Sequence, residues 1–135
     1  MLIDKQLLDF LTQQAQTSPR LRMHYDLRDS PDDDSQRILN AIEPGTIIPI
    51  HRHVMTSETV TCVRGHVCEI LYDEKDGDLV EMMRCEMTPG GNPALIQVPA
   101  GVWHTCQSLE SGSVILEFKN TKYNPETTEE LWNGL

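Results

Sequence analysis

The sequence predicts an all-β jelly-roll barrel with an α-helix before it and a short helix after it. Three observations carry this reading. From Arg37 to Lys119, short apolar stretches are punctuated by turn residues at the spacing of a sandwich or barrel. Asp76-Gly77, between two such stretches, is a strong hairpin signal. The whole chain has 135 residues, room for one domain with short appendages.

The elements follow in order. Ile3, Leu7, Leu8 and Leu11 recur at near-helical spacing behind Asp4, a good N-cap, and Ser18-Pro19 stops the pattern, which predicts an amphipathic helix over 5–16. Its apolar face suits a lid or a contact between copies. Arg20 to Arg28 is ambiguous, with Leu21, Met23, Tyr25 and Leu27 alternating as in a strand. Asp29 to Ser35 is an acidic loop; it lacks the glycine and glutamate of a calcium-binding loop. Strands are expected over 37–42, 46–53, 58–64, 66–73, 79–87, 95–98, 103–109 and 113–119. These fit the eight strands of a jelly roll. Asn124 followed by Pro125 at a first helical position predicts a terminal helix over Glu126 to Trp132. The organisation is an N-terminal appendage 1–36, a barrel 37–119 and a tail 120–135, one domain overall.

Eleven basic against 21 acidic residues give a formal charge of −10, so nucleic acid and anionic membranes are repelled rather than bound. No apolar run approaches the ~20 residues of a spanning helix, and the first five residues lack a secretory leader's basic and apolar regions. Cys62, Cys68, Cys85 and Cys106 show no CxxC spacing and read as reduced thiols of a cytoplasmic protein.

His51 and His53 lie two apart on an expected strand, so both imidazoles leave one face, ~7 Å apart along the backbone. Two such histidines can ligate one metal, or form a polar rim. Glu58 opens the next strand, and His104 follows the tight Pro99-Ala100-Gly101 turn. Three imidazoles and a carboxylate form a mixed N/O set that suits Fe, Ni, Mn, Zn or Cu.

Gly45, five residues, His51-Arg52-His53, four residues, Glu58, six residues and Gly65 resemble the first motif of the cupin superfamily at every defining position. Pro99 to His104 resembles the second motif, with Ser108 where asparagine is common and Gly91 two residues farther upstream than usual. The resemblance implies a cupin barrel holding one divalent metal ion (Fe, Ni, Zn or Mn) through His51, His53, Glu58 and His104. The N-terminal helix, Arg20 to His24, Gln36-Arg37 and Tyr123-Asn124-Pro125 are similar to the WbuC family of cupin-fold metalloproteins, associated with bacterial surface-polysaccharide gene clusters.

What these resemblances imply is a small metal-dependent enzyme of isomerase or dioxygenase type acting on a carbohydrate or sugar nucleotide. A non-catalytic metal-dependent carbohydrate binder or sensor is the alternative, and a purely structural metal a third. Glu58 is the candidate catalytic residue, as ligand or base. Arg37, Arg22 and His24 are candidate substrate contacts, since a guanidinium at the mouth of the pocket can grip a carboxylate or phosphate, and Tyr123 is a candidate to close over the pocket. Cys62 and Cys106 share faces with Glu58 and His104 but read as apolar filler. His66 reads as exposed and Trp103 as packing. Cupin barrels commonly associate, so a homodimer is expected.

Overall fold

A computed structural model of the chain describes residues 1–120 and 129–133. Helix α1, Lys5–Thr17, begins where Asp4 accepts a hydrogen bond from the Leu7 backbone N–H at 3.1 Å, the N-cap the sequence marks. Ten strands follow among the described residues: β1 Arg22–Asp26, β2 Gln36–Ile42, β3 His51–His53, β4 Glu58–Arg64, β5 Val67–Lys75, β6 Asp78–Met87, β7 Leu95–Val98, β8 Trp103–Ser108, β9 Ser113–Lys119 and β10 Glu129–Leu131. They form two five-stranded antiparallel sheets in the orders β1-β2-β9-β4-β7 and β10-β3-β8-β5-β6. The all-β jelly-roll class expected from the sequence holds.

Period-two alternation decides what each strand buries. Ile42, Val60, Cys62 and Ile115 of the first sheet meet Val67, Met87 and Cys106 of the second to form the core between the sheets. The intervening residues Leu39, Ala41 and Val114 point the other way, onto Leu8, Leu11 and Ala15 of α1. A fully buried Leu or Ile contributes about 1.5–3 kcal/mol, so the helix's apolar stripe is spent on its own sheet. That stripe is not left open for a lid or a second copy, while Phe10 on the same helix is exposed.

The ambiguous segment after the helix is an edge strand. Its alternation is real: Met23 and Tyr25 pack beside α1, and Arg22, His24 and Asp26 take the opposite face. Asp76 and Gly77 both have positive φ, 53° and 83°, and join β5 to β6 as the hairpin signal requires. At Gly65, φ is 87° and an added Cβ would lie 2.7 Å from the Ser113 Cα, so only glycine fits.

Two expected elements differ. Of the strand expected over 46–53, only His51–His53 pairs as one. Pro49 has no N–H to give a ladder, and the carbonyls of this stretch are used otherwise. Ile47 O accepts from Arg22, Ile48 O from the Thr105 hydroxyl, and Ile50 O from the Trp132 backbone N–H. At the tail, Glu129–Leu131, inside the expected terminal helix, is instead strand β10. It pairs with β3, and Trp132 packs edge-on against Trp103, so tertiary contacts override the local helix signal. The remainder of that expected helix lies outside the described residues.

Candidate metal centre

β3 and β8 lie side by side with His51 directly opposite His104, and His53 shares their inner face two residues along β3. The ring centroids are 4.3 Å apart for His51 and His104, 5.1 Å for His51 and His53, and 5.3 Å for His53 and His104. One nitrogen from each ring comes within 4.8 Å of the other two, an arrangement that could hold a metal ion. Glu58, the first residue of β4, reaches across from the opposite sheet. Its Oε2 is 2.9 Å from His53 Nε2 and its Oε1 is 3.6 Å from His104 Nε2.

The backbone sets the tautomers of two rings. His51 Nδ1 lies 2.8 Å from Pro49 O and His104 Nδ1 lies 2.9 Å from Val102 O. A carbonyl only accepts, so Nδ1 carries the proton in both, and the Nε2 lone pairs are turned inward. This is the outer support that metal-binding histidines use. His104 Nε2 is buried with no hydrogen-bond partner among the described residues, an unmet acceptor that a cation would satisfy. His53 differs: its Nδ1 faces Lys119 Nζ at 3.4 Å.

Burial, and then His104, push the His51 pKa down to about 4, so this imidazole is neutral and ready to ligate at ordinary pH. Burial would raise Glu58, but His104 and His53 outweigh it and hold its carboxyl well below the usual range. Burial would lower His104, and the Glu58 carboxylate outweighs that in turn. Glu58 is therefore a carboxylate.

A cleft of about 520 Å³ opens onto His51, His53 and Glu58. A family model described as a domain of unknown function, DUF6016, matches residues 3–84. The chain belongs to this family. No curated protein matches the sequence. Among solved structures the DUF6016 chain is similar in fold to the capsular polysaccharide assembling protein CapF from Staphylococcus aureus, with a TM-score of 0.66 and 18% identity over 82% of this chain and 30% of CapF. It is similar also to oxalate oxidase in complex with the substrate analogue glycolate, at 0.63 and 15% over 79% of this chain and 54% of that one. KdgF from Halomonas sp. matches at 0.60 and 15%, over 82% of this chain and 86% of KdgF. The chain thus spans under a third of CapF and about half of oxalate oxidase. These are cupin-fold proteins, and the DUF6016 chain shares their fold.

The expected substrate contacts divide. Arg22 and His24 line the cleft, with Arg22 Nη1 donating to Ile47 O at 2.8 Å. Arg37 does not: it falls on the helix-side face of β2 and donates to Ser35 O, Leu27 O and the Asp33 carboxylate, tying down the acidic loop. The alternation of β2 explains this, since Gln36, Ile38 and Asn40 take the cleft side. Tyr123 lies outside the described residues.

Sequence reading missed several cleft residues. Gln36 and Asn40 on β2, and Glu117 and Lys119 on β9, all line it. The signal was parity, because Ile115, Glu117 and Lys119 alternate with the helix-facing Val114 and Leu116. Glu69 was also missed. It is 2% exposed inside the barrel, across from Cys106, and its Oε2 has no hydrogen-bond partner among the described residues. Burial pushes its pKa up to about 7, against the pull of His104 and with help from Glu58. Cys62 and Cys106 fill the core, and burial holds the Cys106 thiol well above its ordinary value. His66 pairs with Glu86 at 3.1 Å, away from the centre. Trp103 is buried under Arg52, with its Nε1 donating to Glu74.

Proposed function

We propose that the protein is a metal-dependent enzyme acting on a small oxygen-rich molecule, a carbohydrate or sugar nucleotide, through one divalent ion held by His51, His53, Glu58 and His104. One observation carries this reading: three imidazoles converge to within 4.8 Å, two of them with Nε2 turned inward by Nδ1–carbonyl hydrogen bonds. The donor set is mixed N/O with no thiolate, which suits Fe, Ni, Mn or Zn. Such an ion, when bound, polarises a ligand oxygen and lowers the pKa of its protons.

The chain's own residues supply the rest. Glu58, a carboxylate buried 2.9 Å from His53 Nε2, acts in this reading as a ligand of the ion or as the base that takes a proton from a ligand in the cleft. Arg22 and His24 at the mouth, with Lys119 beside His53, set the polarity that an oxygen-rich ligand meets. The sequence likeness to the WbuC family supports a link to surface polysaccharide, and the fold shared with CapF is compatible with it. The free thiols favour a reducing, cytoplasmic setting. A homodimer, if formed, uses a surface other than the buried stripe of α1.

Elemental analysis tests the reading. Protein purified without added metal should carry close to one equivalent of a transition metal, and His53→Ala should fold with only background metal. A variant that keeps its full equivalent, or a wild-type protein that takes up none when offered each candidate ion, would overturn it.

A further inference from the structure

Strand β3 carries two of the three converging imidazoles and is only three residues long. Its β8 side is held by the His51–His104 pair and by the Gly101 N–H, which donates to His53 O at 2.8 Å. Its other side is held by β10, which pairs with it at Glu129, Glu130 and Leu131, and by the Trp132 N–H, which donates to Ile50 O at 2.9 Å. Without β10, β3 becomes an edge of its sheet, where backbone pairing opens readily.

Side chains reinforce this docking on the outer face, behind the histidines. Arg52, between His51 and His53, donates from Nε to Glu130 Oε2 at 2.8 Å, and its guanidinium carbon lies 4.4 Å from the centroid of the Trp103 ring. Trp103, the neighbour of His104, packs edge-on against Trp132 with ring centroids 5.2 Å apart. Its Nε1 donates to Glu74 on β5 at 3.2 Å. Arg52, Trp103, Glu130 and Trp132 thus form a clamp across β3, β8 and the tail strand. Arg52 and Trp103 each adjoin an imidazole-bearing residue in the chain, so holding them holds the backbone from which the rings project. On the other face Leu131, opposite His51 in register, lines the metal cleft.

We infer that docking of β10 and metal binding are one coupled equilibrium, in which the outer clamp positions His51, His53 and His104. This rests on the metal reading of the centre and adds a control on it: β10 sets how tightly the ion is held. Outer supports of metal ligands are worth roughly 10–100-fold in affinity. Coupling is reciprocal, so the ion tightens the strand by the same factor as the strand tightens the ion.

Zinc titration of the metal-free full chain, in competition with a chromophoric chelator, tests this. Trp103 and Trp132 are the chain's two tryptophans, so their emission reports the clamp directly. Zinc should change that emission and slow hydrogen exchange at the Trp132 amide about tenfold or more. Trp132→Ala should weaken zinc binding about tenfold or more, and Trp132→Phe, which keeps an edge-on ring, should recover most of the loss. Arg52→Gln removes a cation near the centre. Charge alone would then tighten zinc, whereas loss of the clamp weakens it. Trp132 exchange indifferent to zinc, affinity within about twofold of wild type in both Trp132→Ala and Arg52→Gln, or tighter binding in Arg52→Gln each overturns the coupling and leaves the metal reading standing. A wild-type chain that binds neither zinc nor any other candidate ion overturns both.

Discussion

The two ends of the barrel interior are built from the same strands by the same alternation, yet they hold opposite chemistry. Toward the closed end, Ile42, Val60, Val67, Met87 and Ile115 are at most 1% exposed and pack into one apolar cluster with the thiols of Cys62 and Cys106. Toward the open end, the same inward positions carry His51, His53, Glu58, His104, Gln36 and Lys119. Glu58 and Val60 are two residues apart on one strand face, and so are Lys119 and Glu117, with Ile115 next in line. One or two steps along a strand thus separate packing from chemistry. The apolar end supplies the stability that lets the open end keep polar atoms such as His104 Nε2 unsatisfied.

Substitutions at the two ends should therefore fail differently. The largest effect is expected at the polar end: His104→Ala should reduce bound metal from near one equivalent to background, measured by elemental analysis, with the far-ultraviolet spectrum of a folded β protein retained. At the apolar end, Ile115→Ala should cost about 2–5 kcal/mol in denaturant unfolding. The metal bound per folded molecule should not change. If Ile115→Ala emptied the centre while His104→Ala kept it full, the division of labour would be wrong.

Glu69 stands between the two ends, and its effect depends on pH. Its carboxyl titrates near 7 in the folded chain against an ordinary value of 4.5. Below pH 4.5 it is protonated folded and unfolded, with no net contribution. As pH rises toward 7 the unfolded chain ionises and the folded one resists, so the native state loses about 3 kcal/mol, and the loss is constant above 7. Glu69→Gln removes this dependence. Metal-free Glu69→Gln should be more stable than wild type at pH 8 and level with it at pH 4, read by denaturant midpoints across pH. The charges facing Glu69 are His104 and Glu58, with the Cys106 thiol alongside, so chelator is needed throughout. The smallest effect belongs to neither end: Asp4→Ala removes the cap of α1 and should cost about 1 kcal/mol with metal content untouched.

Much of this architecture is legible in the sequence, because strand boundaries are set by local chemistry. Asp76-Gly77 needs no distant partner to make its turn, and Asp4 needs only the Leu7 N–H to start α1. The expected strands over 58–64, 95–98 and 113–119 coincide with those formed. Legibility fails where a residue's role depends on what lies opposite. Arg37 looks like a pocket cation until β2 takes its register, which turns Gln36 and Asn40 inward and Arg37 toward the helix side. Glu129–Leu131 becomes a strand because β3 has an open edge to receive it.

Residue spacing alone determined that His51 and His53 would share a face and that turns would frame a β-barrel, since period and turn conformation are properties of a few adjacent residues. Tertiary structure alone decided that His104 would stand opposite His51, that Glu58 would reach them from the other sheet, and that Gln36 would line the cleft. Those outcomes depend on strand register and sheet closure, which no local stretch of chain contains.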